Sequence, residues 1–274
     1  MQQRTVTERV QVNGYTLHVQ VDGPAGAPWL VLAHSLGASL SLWEPQVAQL
    51  SQRYRVLRYD ARGHGLSSVP PRPYTLAALG SDVLGLLDAL AIERASFCGI
   101  SMGGATGMWL ATHAAQRLDR LVLCNTTPWL GPPEPMNSRI AQVLAEGVEP
   151  LVEGILERWF TAESRALEPA AVEAVRQALL ATSAVGYAGC CEAIRDMDQR
   201  ADLPRIKTPT LVIAGTFDPT PAIDAAREWA STIPGALFIE LPTAHISNIG
   251  AAQAFNAGVL AFLAGETDGT RPPP

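Results

Sequence analysis

A serine flanked by glycines is the residue in this chain best suited to act as a nucleophile. Ser101 is the centre of a G-x-S-x-G pentapeptide that begins at Gly99 and ends at Gly103. An apolar run precedes it, and residues 103–116 have a helical pattern. A sharp turn between strand and helix exposes a serine hydroxyl above a sheet. The pattern therefore predicts a nucleophilic serine, and the alternative is an ordinary serine in a glycine-rich turn.

A serine hydroxyl needs a base to remove its proton and a carboxylate to orient that base. The chain has five histidines, at positions 18, 34, 64, 113 and 245. Only His245 follows the nucleophile in a loop after a late predicted strand, so we expect it to be the base, with a surface-loop histidine as the alternative. Asp218 follows the preceding predicted strand and is the expected acid. Its competitors are Asp224, in a predicted helix, and Glu240, in a predicted strand.

Two backbone N–H groups should stabilise the oxyanion that forms when such a serine attacks a carbonyl. Met102 follows the nucleophile directly, and its N–H is the first expected donor. The second is the N–H of Leu36, in the loop after the predicted strand 29–33. His34 begins this loop, and we expect it to be a structural, hydrogen-bonding residue rather than a base.

The remaining motifs predict no cofactor. His64 lies in a glycine-rich segment, where we expect a turn held by Asp60 and Arg62 rather than a metal site or a base. His18 and His113 are interpreted as structural residues. The sequence contains no H-E-x-x-H, no spaced Cys/His cluster, no G-x-G-x-x-G and no Walker lysine. We therefore expect no metal ion and no nucleotide or redox cofactor.

The elements that must position these residues alternate between strands and helices. The segments 6–12 and 15–22 predict a hairpin around Asn13-Gly14. Further strands are predicted at 29–33, 54–59, 95–99, 120–125, 210–214 and 236–241, and helices at 42–52, 76–90, 103–116, 222–232 and 251–264. This alternation is typical of an α/β fold with a mostly parallel, doubly wound sheet.

The alternation stops between residues 128 and 205, where the sequence predicts several helices and no clear strand. We expect this segment to be a helical cap inserted into the sheet domain. The predicted organisation is thus an α/β core formed by residues 1–127 and 206–264, a cap at 128–205, and a polar, proline-rich, disordered tail at 265–274.

Composition excludes several classes of function. The 274 residues carry a formal net charge of −6, and the few Lys and Arg are scattered. Nucleic-acid binding needs a clustered basic face, so we expect no nucleic-acid partner. The four cysteines fit neither a disulfide framework nor a zinc site. No signal peptide or membrane-length apolar run is present, so we expect a cytoplasmic protein with no membrane partner. The sequence is compatible with a monomer or a homo-oligomer.

The chain resembles the 3-oxoadipate enol-lactonases of the α/β-hydrolase superfamily between about residue 8 and residue 263. The resemblance is carried in the core by Ser35-Leu36-Gly37, Arg55–Asp60, Arg62–Gly65 and Phe97–Gly104, and in the cap by Glu157–Phe160 and Cys190–Asp196. The elbow is common to the superfamily, whereas the cap segments favour the lactonases because caps differ most between activities. Ser35 departs from the glycine usual in the superfamily, and Phe217 from the polar residue usual before the acid.

This resemblance implies an α/β-hydrolase fold and a serine enzyme that opens 3-oxoadipate enol-lactone to 3-oxoadipate, in the β-ketoadipate pathway of aromatic catabolism. Because that substrate carries a free carboxylate, it also implies a cationic or hydrogen-bonding anchor in the cap. The candidate anchors are Arg139, Arg158 and Arg195, and the candidate apolar walls are Trp129, Met136 and Trp159. For each of these residues, a surface or core-packing role is the alternative.

Other activities share the same triad. A general carboxylesterase, a cofactor-free perhydrolase or a carbon–carbon bond hydrolase differs mainly in its cap. Dehalogenases and epoxide hydrolases are disfavoured because they use a carboxylate nucleophile, whereas this elbow carries Ser101. A ligand-binding signalling protein with slow or no turnover is the alternative from a different class, and single-turnover behaviour would distinguish it.

Overall fold

The computed structural model describes residues 6–266, and its centre is an eight-stranded sheet. The strands are β1 (Val6–Val12), β2 (Tyr15–Asp22), β3 (Trp29–Ala33), β4 (Arg55–Tyr59), β5 (Ala95–Ile100), β6 (Leu118–Cys124), β7 (Thr210–Gly215) and β8 (Leu237–Leu241). Their order across the sheet is β1-β2-β4-β3-β5-β6-β7-β8. The β1–β2 hairpin and the β2–β4 pair are antiparallel, and the strand pairs from β4 to β8 are parallel. The predicted mostly parallel sheet is confirmed.

Eleven α-helices lie within the described residues. They are α1 (Glu44–Leu50), α2 (Leu76–Ala89), α3 (Met102–His113), α4 (Glu134–Glu146), α5 (Val152–Trp159), α6 (Ala162–Leu167), α7 (Pro169–Ala181), α8 (Ala184–Arg195), α9 (Ile223–Ser231), α10 (Ser247–Gly250) and α11 (Ala252–Ala264). α2 and α3 pack together against the sheet, and so do α1 and α11. Of the predicted tail, Gly265 ends α11 in a left-handed conformation, and residues 267–274 lie outside the described residues.

The middle of the sheet is covered on both faces. Every residue of β5 and β7 is buried, as is typical of parallel strands between two helical layers. Within residues 6–266, no helix is long and apolar enough to cross a bilayer. The carboxyl ends of β3, β5, β6, β7 and β8 meet at one edge of the sheet, where ligands bind in open α/β sheets.

Helices α4 to α8 lie between β6 and β7, which are neighbours in the sheet. The two ends of this helical segment are tied together, because Trp129 forms a β-bridge with Asp198 and the N–H of Gln199 donates to Pro128 O (2.9 Å). α4 packs on α8, and α5 packs on α7. The two points at which the helical segment leaves and rejoins the core are therefore adjacent to each other.

One short element was not predicted. α10 has only four residues and begins two residues after His245. Its Ser247 hydroxyl is hydrogen-bonded to Thr243 Oγ1 (2.7 Å), and both residues are buried. A single helical turn is too short to produce a periodic pattern in the sequence, so periodicity does not reveal it.

Candidate active site

Ser101 lies at the turn between β5 and α3, and its backbone adopts a positive φ of 56°. This conformation is unfavourable for a residue with a side chain and persists only where the surroundings impose it. Two contacts with the end of β6 do so here. The N–H of Ser101 donates to Cys124 O (2.9 Å), and the hydroxyl of Thr126 donates to Ser101 O (2.8 Å).

The two glycines of the pentapeptide are required by close backbone approaches. A Cβ added at Gly99 would lie 2.2 Å from Gly103 O, and one added at Gly103 would lie 2.2 Å from Ala33 O. Real Cβ atoms do not approach backbone oxygens this closely, so a larger residue at either position would push α3 away from the sheet. The turn therefore has the geometry expected of a nucleophile elbow.

The two other predicted members of the triad are in direct contact. Asp218 follows β7 and His245 follows β8, and Asp218 Oδ2 lies 2.8 Å from His245 Nδ1. The second carboxylate oxygen accepts the N–H of Thr220 (2.9 Å). An ionised carboxylate can only accept, so Nδ1 carries the proton and Nε2 is the nitrogen available to act as a base.

The competing carboxylates lie elsewhere. Asp224 is on the exposed side of α9. Glu240 forms an ion pair with Arg227 at 2.7 Å on the surface of β8. The structure thus brings Asp218, and neither competitor, to His245.

Both predicted oxyanion donors are next to the elbow. Met102 is the first residue of α3, so its N–H has no acceptor inside the helix. Leu36 lies in the loop after β3, and both residues line the same cavity as Ser101. Gly37 adopts a positive φ of 78° in this loop, which glycine tolerates without strain. The structure therefore places both predicted donor residues in the cavity that contains Ser101.

Two buried histidines hold the loop that contains Leu36. His34 Nε2 accepts the N–H of Ala61 (2.9 Å), so its Nδ1 donates to Ser35 O (2.7 Å). His64 Nε2 accepts the N–H of Gly37 (2.8 Å). Burial lowers the pKa of His34, and burial together with the neighbouring His34 lowers the pKa of His64 to about 3. Both rings are therefore neutral and structural.

This burial predicts a loss of stability in acid. The pKa of His64 rises from about 3 in the folded chain to its ordinary 6.5 on unfolding. The unfolded state therefore binds more protons between these values, and stability decreases as pH falls. We expect His64→Gln, whose amide oxygen can still accept from Gly37, to reduce the slope by up to about 1.4 kcal/mol per pH unit. The measurement is urea unfolding across this pH range.

The control is His113→Gln, which changes an exposed residue near the end of α3. Its unfolding curves should keep the wild-type pH slope. A His64→Gln variant with an unchanged slope would show that other groups cause the loss of stability in acid.

The segment around His64 is a turn built on Asp60 and Arg62. The Asp60 carboxylate accepts the N–H of Leu40 (2.7 Å) and of Leu66 (3.0 Å), and it is paired with His18 Nδ1 at 2.7 Å. Arg62 forms a buried ion pair with Asp82 at 2.7 Å and a hydrogen bond with Tyr15. Among the described residues, no group of His, Cys, Asp and Glu could hold a metal ion.

A cavity of about 300 Å³ lies between the sheet edge and the cap helices. Ser101, Asp218 and His245 line its sheet side. Its cap side is mostly apolar, and its apolar residues include Leu130, Met136, Ile155, Trp159, Ile194 and Met197. The volume suits a small organic molecule. Four of the six predicted pocket residues line it: Met136, Arg139, Arg158 and Trp159.

Trp159 connects the cap to the histidine loop. Its carbonyl accepts the N–H of Ile246 (3.1 Å), and its indole ring centre lies 6.0 Å from that of His245. The end of α5 is thus in contact with the segment that contains His245. A displacement of this helix would also displace His245.

Two predicted pocket residues, Trp129 and Arg195, do not line the cavity. Trp129 is 39% exposed, and the guanidinium of Arg200 lies 4.1 Å from the centre of its ring. Arg195 is paired with Asp196 at 2.7 Å and donates to the Asn137 side chain (2.9 Å). These partners hold both side chains away from the cavity, so the structure does not bring Trp129 and Arg195 to the site.

Arg139 and Arg158 are the basic residues of the cavity. In the part of the chain that the structure describes, neither guanidinium forms an ion pair with a carboxylate. Burial and the nearby charge of Arg139 lower the pKa of Arg158. Burial raises the pKa of Tyr187, which is hydrogen-bonded to Arg139, to about 12. Two positive charges thus lie close together, and neither is ion-paired with a carboxylate among the described residues, although the charge of Glu157 partly offsets that of Arg158.

Sequence reasoning missed Asn125, a buried residue that immediately follows β6. Its side-chain N–H donates to Asp218 Oδ2 (3.0 Å) and to Ala244 O (3.2 Å). The available signal was position, because β6 adjoins the strand of the nucleophile and a polar residue at its carboxyl end faces the same sheet edge.

Comparisons with known proteins identify the family of this chain. The family model for the alpha/beta hydrolase fold matches residues 28–252. The curated 3-oxoadipate enol-lactonase 2 of Acinetobacter baylyi is 41% identical over 241 residues, which cover 88% of this chain and 90% of that protein. A putative carbamate hydrolase of a Caulobacter species is 34% identical over 257 residues, covering 89% and 94%.

Among solved structures, the enol-lactonase of Burkholderia xenovorans superposes with a TM-score of 0.92 at 47% identity, covering 94% of this chain and 100% of that one. The family model spans most of the chain, and the similarity to both enol-lactonases includes the helices between β6 and β7. The chain therefore belongs to the α/β-hydrolase family and is most plainly similar, among these relatives, to the 3-oxoadipate enol-lactonases.

Proposed function

We propose that this chain is a serine hydrolase that opens 3-oxoadipate enol-lactone to 3-oxoadipate through an acyl-enzyme on Ser101. One observation supports this particular substrate, in addition to the chemistry that serine hydrolases of this fold share. The cavity above Ser101 contains two arginines, Arg139 and Arg158, that lack a carboxylate partner within residues 6–266. A lactone with a free carboxylate supplies the missing anion, and two curated relatives carry this activity in their names.

The two arginines favour an anionic substrate within this cavity, although the net charge of the whole chain does not. The chain as a whole is acidic, with a formal charge of −6, so it does not steer anions by its overall field. The two guanidinium groups repel each other, and a bound carboxylate relieves that repulsion. Guanidinium–carboxylate hydrogen bonds are charge-assisted and directional. The arginines therefore fix which end of the substrate faces the cap.

In the acylation step, His245 Nε2 takes the proton of the Ser101 hydroxyl, and the oxygen attacks the lactone carbonyl. The N–H groups of Leu36 and Met102 stabilise the resulting oxyanion. Collapse of the tetrahedral intermediate breaks the ring C–O bond. The leaving oxygen is an enol that receives the proton from His245 and remains attached to the acyl chain. Its tautomerisation to a ketone makes ring opening irreversible in practice.

In the deacylation step, water replaces the serine as the nucleophile. His245, oriented by Asp218, takes a proton from the water as it attacks the acyl-enzyme carbonyl. The Ser101 oxygen leaves and recovers its proton from the imidazolium. The net reaction adds one water to the lactone and yields a dicarboxylate with a ketone.

The apolar side of the cavity positions the reacting ring. Met136, Ile155 and Trp159 face the sheet from α4 and α5. Apolar side chains around the ring lower the local polarity, which strengthens the electrostatic contacts at the carbonyl. A cavity of about 300 Å³ accommodates a six-carbon lactone.

A second candidate activity is carbamate hydrolysis, because several relatives at 30–34% identity are named putative carbamate hydrolases. It uses the same Ser101, Asp218 and His245. A general esterase or perhydrolase would also use them. These activities differ in whether the substrate carries a negative charge. Substitution of the cap arginines therefore distinguishes them.

We expect Arg158→Gln and Arg139→Gln each to lower kcat/KM for the anionic lactone by roughly 10- to 100-fold, the loss of one charge-assisted hydrogen bond. Hydrolysis of the neutral ester p-nitrophenyl acetate should change by less than about threefold, since this substrate has no carboxylate. The measurement is the ratio of kcat/KM values for the two substrates in each variant.

Arg165→Gln is the matched control, because Arg165 lies on an exposed face of α6 outside the cavity. Its ratio should equal that of the wild type. Equal losses on both substrates would assign Arg139 and Arg158 to cap folding, and unchanged ratios in both variants would contradict an anionic substrate.

A further inference from the structure

Asn125 occupies the point at which three strand ends meet. It follows β6, and its backbone N–H donates to Ile213 O of β7 (2.8 Å). Its side-chain N–H group reaches Asp218 Oδ2 (3.0 Å), after β7, and Ala244 O (3.2 Å), after β8. One amide thus joins the loop of the acid to the loop of the base.

The orientation of this amide follows from its neighbours. Both groups that it reaches, a carboxylate oxygen and a backbone carbonyl, are acceptors, so the nitrogen of the amide must face them. Asp218 Oδ2 consequently receives two donors, Asn125 Nδ2 and His245 Nδ1, and Oδ1 receives the N–H of Thr220. The carboxylate is fixed at both oxygens in a buried position.

The arrangement costs stability. Asn125 adopts a positive φ of 44°, a conformation that asparagine tolerates better than most residues with a side chain. Its Oδ1 is buried and has no hydrogen-bond partner among the described residues, and an unsatisfied buried acceptor is unfavourable. Because both of these features of Asn125 are unfavourable for folding, its role is better explained by the hydrogen bonds that its side-chain N–H group donates.

We propose that Asn125 is a positioning residue for the acid–base pair, which holds the ionised carboxylate of Asp218 in the orientation that His245 requires and fixes the His245 loop through Ala244. The inference rests on the proposed serine-hydrolase function. Asn125 acts through Asp218 and His245 and forms no bond to substrate in this role.

The physical effect of Asn125 is electrostatic as well as geometric. Its N–H group partly neutralises the Asp218 carboxylate, which is otherwise balanced by His245 and Thr220 alone. A stronger negative charge at this point favours the imidazolium over the neutral imidazole. A general base must be neutral before it acts, so removal of this N–H group is expected to weaken His245 as a base.

Two substitutions test this role without straining the backbone. Asn125→Gly keeps the positive φ and removes the donor, and Asn125→Asp keeps the shape but replaces the donor by a second carboxylate. We expect kcat to fall about 10-fold or more in Asn125→Gly and further in Asn125→Asp, with KM within about threefold of wild type. The assay uses both 3-oxoadipate enol-lactone and p-nitrophenyl acetate.

The pH profile separates positioning from a loss of structure. The acidic limb of kcat/KM should move to higher pH, most in Asn125→Asp, where two negative charges face the imidazole. The other titratable groups that line the cavity are Arg139, Arg158 and Tyr187. The arginines stay charged, and the pKa of Tyr187 is about 12, so these groups do not produce the shift. A structural defect would lower the rate at every pH and leave the limb in place.

Asn13→Asp is the matched control. Asn13 also has a positive φ, 52°, and its side-chain N–H donates to a carboxylate, that of Asp82 (3.1 Å), but it lies in the β1–β2 turn away from the cavity. Its kcat and pH profile should equal those of the wild type.

Unchanged kcat in both Asn125 variants, or lower kcat with an unmoved acidic limb, would overturn the inference. Labelling of Ser101 by a fluorophosphonate probe distinguishes a different failure. A wild-type chain that is neither labelled nor active on either substrate would contradict the proposed function, and the inference with it. Labelled, active wild type with unaffected Asn125 variants would overturn the inference alone.

Discussion

Replacing Ser101 with alanine is expected to lower kcat/KM by at least about 10⁴-fold, because the reaction then lacks its nucleophile. Alanine keeps the Cβ and adopts the same backbone conformation, so the turn between β5 and α3 should be preserved. Two hydrogen bonds hold this turn: the N–H of Ser101 donates to Cys124 O, and the hydroxyl of Thr126 donates to Ser101 O. Both use backbone atoms of Ser101, so neither is lost in the variant. Steady-state hydrolysis of the lactone, with thermal unfolding as a check of the fold, measures the effect.

The control is Ser231→Ala, at the end of α9 on the exposed surface. This variant should keep wild-type activity and fluorophosphonate labelling. Ser101→Ala should lose both while its melting temperature remains close to that of the wild type. Residual turnover within about 10-fold of wild type in a folded Ser101→Ala variant would show that another group performs the reaction.

Asp218→Asn is expected to lower kcat by about 10⁴-fold while the fold is retained, the size of loss typical of a triad aspartate changed to asparagine. The wild-type carboxylate accepts from Thr220 at one oxygen and from His245 and Asn125 at the other. Asparagine has one oxygen only. Its NH₂ group must therefore face a donor, either the N–H of Thr220 or that of His245, and in the second case His245 loses the acceptor that keeps the proton on Nδ1. In both orientations the negative charge that stabilises the imidazolium is lost.

The competing carboxylate supplies the control for this variant. Asp224→Asn changes an exposed residue of α9 and should leave kcat within about twofold of wild type. The comparison is made by steady-state kinetics at the pH optimum of the wild type. If Asp224→Asn were the damaging substitution, the assignment of the acid from geometry would be wrong.

The sheet and the elbow were predictable because local sequence determines them. β5 is buried along its whole length, which its apolar run predicts. Gly99 and Gly103 permit the close backbone approaches of the turn, and the glycine pattern predicts this. The loop positions of Asp218 and His245 follow from the same logic, since the carboxyl ends of parallel strands meet at one edge. Their direct contact at 2.8 Å is what the structure adds.

The cap was less predictable because its side chains can face either way. Arg195 and Trp129 were candidates for the pocket, yet Asp196 and Arg200 hold them outside it. In a short amphipathic helix, a shift of one residue changes the face by about 100°, and the sequence does not reveal which helix packs on which. Asn125 was missed because its side-chain hydrogen bonds reach two loops that are distant in the chain.

Steady-state kinetics of the wild-type chain on three substrates test the central claim most directly. They are 3-oxoadipate enol-lactone, p-nitrophenyl acetate and a small carbamate of similar size. The account predicts a kcat/KM for the lactone of at least about 10⁴ M⁻¹s⁻¹, within the usual range of enzymes, and well above the values for the other two. A higher kcat/KM for the ester or the carbamate, or no turnover of the lactone, would contradict it.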